Sequence, residues 1–362
     1  MPGVTRAAQI AAAVERLAPP SLAEAWDNSG LQVGDPSSEV RRILVALTPL
    51  PEVFDEAEET GADFLLFHHP LIFAPLKSVS TGSYPGDLIS RAVRNGLTVY
   101  AAHTSYDAAP DGVSVALARA LALDGPLGTI SPRGSLRKLV VFVPAEDAEA
   151  VAEALAGAGA GRIGDYTRCT FRSAGTGTFL PGEGSDPYLG ERGRLERVEE
   201  VRLETVVPTH LARAAVDAAT AAHPYEEVAL DVYPVEGTPE GCGYGRVGTL
   251  PEPTSPEELI NYVSGRLGFP ARPVAEGDRA EIRRLAVLGG SGGSFVPEVA
   301  AAGADAYVTG DLDYHDALLA GSLGLAAVDA GHAATELPSL EPLARRLAGL
   351  VDVPVGVSRV RR

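Results

Sequence analysis

The stretch GADFLLFHH (61–69) is a short apolar run that opens on Gly-Ala-Asp and closes on two adjacent histidines, with Pro70 directly after them. Phe64 to Phe67 has the length and unbroken apolarity of a strand buried on both faces, and the proline takes the chain out of it. Two of the chain's seven histidines therefore stand where a core strand meets a loop. The stretch is echoed by GADAYVTGD (303–311), in which Gly310-Asp311 falls at the offset of His68-His69. A second echo sets GLTVYAAHTSYD (96–107) beside GLAAVDAGHAATE (324–336), with a slip of one residue. Each carries a histidine followed four residues later by a carboxylate, His103 with Asp107 and His332 with Glu336. Together the echoes point to an internal duplication.

Around the first echo, strand and helix alternate: RRILVAL, then PEVFDEAEETG, DFLLF, GDLISRAVRNG and LTVYAAH. This rhythm is that of a layered α/β sheet. Residues 124–137, DGPLGTISPRGSLR, are rich in Gly, Pro and Ser and read as a linker. KLVVFVP then begins a different order, β-α-β-β-β-α-β, with runs near YTRCTFRS and GTGTFLP counted as separate strands or a hairpin. That is a ferredoxin-like plan with one extra strand. EGTPEGCGYGRVGTLPEPTSP (236–256) reads as a second linker, and the α/β rhythm resumes beyond it. The expectation is a duplicated α/β metal-binding domain built from both chain ends (1–130 and 246–362), with an inserted ferredoxin-like α+β domain at 131–245.

Composition narrows the function. The chain has 362 residues, is 45% hydrophobic and 22% charged, and carries a formal net charge of -18. Such a surface repels phosphate backbones and anionic membranes, so nucleic acid is disfavoured as a partner. Cys169 and Cys242 are too few for a disulfide framework or a thiolate zinc site, and read as buried or incidental thiols. No apolar stretch is long enough to span a membrane. The opening MPGVTRAAQIAAAVERLAPPS reads as an amphipathic helix, not a signal peptide, which makes the cytoplasm the expected location.

Residues four apart on a helical turn share a face, so each His-x-x-x-carboxylate pair can present an imidazole and a carboxylate to one point. In open α/β sheets that point is the carboxyl edge of the strands, where ligands settle. His68 and His69 sit at such an edge and can splay around two neighbouring ions. Imidazole with carboxylate, and no thiolate, favours zinc, iron, manganese or cobalt.

Several ordered motifs then carry a resemblance over nearly the whole chain: EAWDNSGLQVGD (24–35), LFHHPLIFAPLKSV (66–79), YAAHTSYDAAPDGV (100–113), AAHPYEEVALDVYPVEG (221–237), GADAYVTGDLDYHDA (303–317) and DAGHAATE (329–336). With these the sequence resembles the NIF-three-like dinuclear-metal family, in particular its long YqfO-type members. The resemblance implies two divalent ions per chain, held by His68, His69, Asp107, His332 and Glu336, with Glu336 bridging. It puts His103 beside them as a neighbour or occasional extra ligand. It also implies a homo-oligomer, a hexameric ring with metal sites facing a central cavity, and an insert similar to trimer-forming signalling and metal-tolerance domains. Ser114 and Thr48 depart from the family, which commonly has Asn and often Asp there.

Other motifs were weighed against plainer roles. Within TGDLDYHDA (309–317), Asp311 or Asp313 suits helix capping, while Asp311 and His315 are also placed to support the metals from behind. GGSGGS (289–294) lacks the lysine and the spacing of a phosphate loop and reads as a glycine turn. Trp26 reads as core, although the resemblance puts its loop near the pocket. His223, in HPYEE, belongs to the insert and is left out of the site. The expected function is a metal-dependent hydrolase of a small, nucleotide-like molecule, which by resemblance is a second type of GTP cyclohydrolase opening a purine ring. The alternative is a metal-holding or regulatory assembly protein without turnover. No catalytic group beyond the metal set is assigned.

Overall fold

A computed structural model describes residues 5–361; residues 1–4 of the opening stretch lie outside it, and its helix covers Ala7–Leu17. Two compact units are present, one built from the chain up to Arg133 and from Gly241 onward, the other from Gly134–Glu240. Among the described residues no helix is long and apolar enough to cross a membrane.

The first unit holds two sheets. One comprises β1 (Gly30–Val33), β2 (Ile43–Ala46), β3 (Phe64–Phe67), β4 (Thr98–Ala101) and β15 (Val355–Val357), in the order β1-β4-β3-β2-β15. β15, β2, β3 and β4 run parallel, and β1 is antiparallel to β4. Every residue of β2, β3 and β4 is buried, as parallel strands covered on both faces require. Ile43, Val45, Phe64 and Leu66 face one layer, against Ile10 and Val14 of helix Ala7–Leu17 and Leu340, Leu343 and Leu347 of helix Leu340–Ala348. Leu44, Leu65, Phe67 and Val99 face the other, against Val53 and Phe54 of helix Pro51–Thr60 and Leu88 and Ile89 of helix Gly86–Arg94.

The second sheet comprises β5 (Asp124–Pro132), β10 (Gly243–Thr254), β11 (Arg272–Ala275), β12 (Ile282–Ser291), β13 (Ala306–Gly310) and β14 (Ala326–Asp329), in the order β11-β14-β13-β12-β10-β5. β12, β13 and β14 are parallel, with β11 antiparallel to β14. The run β11-β14-β13-β12 thus repeats the order and directions of β1-β4-β3-β2. Its core takes Leu117 from helix Val113–Ala120, which lies in the first half of the sequence. Conversely, Leu340–Ala348, from the second half, covers the first sheet. Each half lends a helix to the other, and each leucine so buried is worth about 1.5–3 kcal/mol.

Both expected linkers prove to be strands. Residues 124–132 and 243–254 pair antiparallel at the edge of the second sheet, with Gly243 opposite Pro132 and Val247 opposite Gly128. Their glycines and prolines look like loop composition, but a Cβ on Gly243 would strike the Ser131 carbonyl, so the close approach of the two strands needs that glycine.

The second unit has β6 (Leu136–Pro144), β7 (Phe171–Phe179), β8 (Glu196–Pro208) and β9 (Leu230–Val235), in the antiparallel order β7-β8-β6-β9. Helices Ala148–Gly157 and Ala212–Ala222 cover one face, on Leu139, Val141, Leu203 and Val207. The extra strand expected here is not formed among the described residues: the runs around 166–181 contribute one continuous strand, β7, because all nine of its residues pair with β8.

These layers predict how the chain divides. Expressed alone, 134–240 should melt cooperatively, since both its helices and all four strands share one core. Residues 1–133 alone should not, having lost the cover supplied by Leu340, Leu343 and Leu347. Because Arg133 N–H donates to the Cys242 carbonyl at 3.1 Å, a short turn replacing 134–240 should leave the first unit folded. Circular-dichroism melts check all three, and a cooperative transition from 1–133 alone would count against the shared core.

Candidate metal centre

His68 and His69 continue β3 past its last residue: their N–H groups donate to the carbonyls of Ala46 (3.1 Å) and Leu47 (2.9 Å) before Pro70 ends the ladder. His103 and Asp107 flank the one-turn helix Thr104–Asp107 after β4, and His332 and Glu336 bound the matching turn His332–Glu336 after β14. All six reach one place. The groups His68-Asp107-Glu336, His69-His332-Glu336 and His68-His69-His103 each bring three candidate donor atoms within 4.8 Å of one another. Glu336 belongs to two of them.

The distances would suit a coordination shell. Glu336 Oε1 lies 3.3 Å from His68 Nε2 and 3.2 Å from His332 Nε2, while Oε2 lies 3.0 Å from His69 Nε2. His68 Nε2 is 3.7 Å from Asp107 Oδ1, and the Nε2 atoms of His69 and His332 are 3.3 Å apart. Donors about 2.0–2.1 Å from a tetrahedral ion stand about 3.3 Å from each other. Among the described residues, the buried atoms His68 Nε2, Asp107 Oδ1 and Glu336 Oε2 have no aligned hydrogen-bond partner. Their short approaches are close without being aligned for hydrogen bonding, as atoms aimed at a common centre would be. Imidazoles and carboxylates of this kind fit a divalent transition ion.

Each imidazole is tethered from behind at Nδ1. His68 Nδ1 meets the Ala102 carbonyl at 3.1 Å, which can only accept, so Nδ1 carries a proton and Nε2 is the atom turned to the cluster. Asp27 Oδ1 holds His103 Nδ1 at 2.7 Å, Asp311 Oδ2 holds His332 Nδ1 at 2.7 Å, and the Thr48 hydroxyl meets His69 Nδ1 at 3.0 Å. Outer partners of this sort fix tautomer and ring direction. Burial works against a charge on His68, but Glu336 and Asp107 outweigh it and push its pKa up to about 9. Desolvation pushes Asp107 up to about 6, partly offset by His68. The nearby Glu336 carboxylate, against opposing burial, takes His332 up to about 9, and burial lowers His69. Burial also opposes the charge of Glu336, yet His68, His332 and His69 hold its carboxyl well below the usual range.

The supporting residues sort differently from expectation. Asp313 caps helix Tyr314–Ser322, accepting from the N–H groups of His315 and Asp316, whereas Asp311 is free to hold His332. Asp311 adopts a left-handed φ of 54° to do so. His315 is not brought to the cluster: it is exposed on the first turn of that helix, its ring against Tyr314. Trp26 is not core but 60% exposed, its ring 6.0 Å from Phe73 and 6.1 Å from His103. His223 is buried in the other unit, bonded to the Phe142 carbonyl.

Two glycines stand closer to the donors than a turn or a repeat position would require. Gly290, with φ of 76°, lies where a Cβ would stand 2.5 Å from Glu336 Oε1, and Gly310 where one would stand 2.6 Å from the His332 nitrogen. The GGSGGS run is therefore a close cover over the donors. The centre opens into a cavity of about 640 Å³, whose walls include Trp26, Phe73, Arg133 and Tyr244.

Comparison with known proteins places the chain in a family. A family model described as Duf34/NIF3 (NGG1p interacting factor 3) matches residues 5–361. A Bacillus subtilis (strain 168) protein named GTP cyclohydrolase 1 type 2 homolog is 42% identical over 347 residues, 95% of this chain and 92% of its own. The crystal structure of a Bacillus cereus protein related to NIF3 superposes with a TM-score of 0.87 at 41% identity, over 99% of this chain and 98% of that one. A Staphylococcus aureus crystal structure gives a TM-score of 0.73 at 27% identity, covering 99% and 97%. With a match along nearly its whole length and a full-length relative above 40% identity, the chain belongs to the Duf34/NIF3 family.

Proposed function

We propose that the protein holds two divalent ions and hydrolyses a small, nucleotide-like substrate, as a homo-oligomeric, hexameric ring in the cytoplasm. The observation that carries the reading is the sharing of Glu336 between two donor groups. His68, Asp107 and Glu336 would hold one ion, and His69, His332 and Glu336 the other, with His103 alongside. Paired divalent ions supply Lewis acidity and lower the pKa of water toward neutrality. The protein's own part is to hold the four imidazoles with Nε2 turned inward through the Ala102, Thr48, Asp27 and Asp311 tethers. The exposed rings of Trp26 and Phe73 would stack a planar base, and Arg133, whose guanidinium lies 5.2 Å over Tyr244 and is paired with Glu24 at 3.3 Å, stands at the wall of the same cavity. The name borne by the Bacillus subtilis relative supports GTP as the first substrate to try. The repeated strand order supports duplication of the metal-binding half, and the β-α-β-β-α-β order supports a ferredoxin-like insert.

Elemental analysis of purified protein should find close to two divalent ions per chain, and GTP supplied with zinc, manganese, iron or cobalt should be hydrolysed. Protein that retains no metal and takes none up on reconstitution would sink the proposal. A second reading, a metal-holding regulatory protein without turnover, is favoured by a separate ligand-sized cavity in the 134–240 unit. Metal that raises the melting temperature while no nucleotide is hydrolysed would select it.

A further inference from the structure

The sheet of the 134–240 unit has a second face that its helices leave uncovered. Because the helices pack on Leu139, Val141 and Leu203, strand alternation puts Phe142, Glu200 and Arg202 on the opposite side. The β7–β8 register sets Gly175 directly across from Glu200 and Ser173 across from Arg202. Gly175, Gly177 and Phe179 therefore share that face, and the two glycines leave a trough beside Glu200. A Cβ on Gly177 would strike Glu200 Oε2. The trough is part of a cavity of about 650 Å³, within the range of small-molecule sites.

Glu200 is 9% exposed. Its Oε1 accepts a hydrogen bond from the Tyr225 hydroxyl at 3.0 Å, and among the described residues no cation pairs with it. The two nearby cations of this face, Lys138 and Arg202, both go to Glu204, at 3.2 and 3.0 Å. A buried carboxylate without a counter-charge is costly, and such groups normally have a partner. Around the trough stand aromatic rings: that of Tyr225 is 6.0 Å from Phe179 and 6.2 Å from Tyr188. Glu226 and Glu227 add negative charge at the rim. A buried acid bordered by aromatic rings is the chemistry that receives an organic cation.

We propose that this trough binds a small organic cation, with a primary ammonium or guanidinium group seated on Glu200 and its carbon chain against Phe179, Tyr188 and Tyr225. The test is calorimetric titration of the full-chain protein with agmatine, which carries both groups. The expected result is one saturable site per chain, weakened about tenfold or more by Glu200→Gln. Gly175→Val should weaken it as much while keeping the wild-type melting temperature, because a Cβ there enters open space and a β-branched residue suits a strand. The proposal is overturned by absence of saturation up to about 10 mM agmatine, well beyond a specific site's range, or by equal affinity in Glu200→Gln. It is equally overturned if agmatine does not bind and Glu200→Gln changes the oligomeric mass, since a second copy of the chain would then supply the cation.

Discussion

Glu336→Gln should empty the metal centre, taking retained metal from about two ions per chain to well below one. The side chain keeps its size and loses only its charge, yet that charge faces three imidazoles: Oε1 is 3.3 Å from His68 and 3.2 Å from His332, and Oε2 is 3.0 Å from His69. Repulsion scales with the product of the charges, so two divalent ions repel about four times as strongly as two monovalent ones at the same distance. The shared carboxylate is the group placed to screen both. A histidine substitution is milder, because it removes a neutral donor from one group. His332→Ala should leave about one ion, bound by His68, Asp107 and Glu336. Elemental analysis after dialysis reads the difference, with a metal-free melt of each variant as the folding control. If Glu336→Gln retains two ions at unchanged affinity, the carboxylate is not a bridge.

Gly310→Ala should be the most damaging methyl group in the first unit's parallel strands, at about 1–3 kcal/mol of overpacking. The added Cβ would stand 2.6 Å from the nitrogen and 2.7 Å from the Cα of His332, and 2.9 Å from the Gly331 carbonyl carbon. All three are backbone atoms and cannot swing away as a side chain could. His332 must move, and with it the donor facing His69 at 3.3 Å. The variant should therefore lose the His69-His332 ion first and melt earlier even without metal. Wild-type melting and full metal content together would show that the strand end can give way.

Much of this centre was legible in the sequence because its donors are tied to local periodicity. Four buried residues followed by His-His-Pro announce a strand edge, and a histidine with a carboxylate four residues on announces a turn that aims both at one point. What was illegible depends on partners far along the chain. Residues 124–132 and 243–254 read as linkers because glycine and proline signal loops locally, while their pairing with each other is a long-range fact. Asp311 and Asp313 looked interchangeable as caps, and only the position of His332 separates them. Thr48 was noted as a departure from the family pattern, but its hold on His69 needed coordinates. Gly310 was seen only as the counterpart of His68; in space, the place that takes an imidazole in one half must stay bare in the other, because a backbone crosses it.

The exchange of helices between the halves also sets an order of events during synthesis. A nascent chain that has emerged only through the insert carries His68, His69, His103 and Asp107 but neither His332 nor Glu336, and its first sheet lacks the cover of Leu340, Leu343 and Leu347. The ladder of β2, β3 and β4 can form at that stage, but one face of it has only the cover of helix Ala7–Leu17, and its histidines have no Glu336 to gather around. Closing the long loop from His69 to His332 costs little more entropy than closing one half as long, about 0.6 kcal/mol per doubling. The delay is thus one of availability, and the two donor groups that contain Glu336 are completed only when the second half arrives.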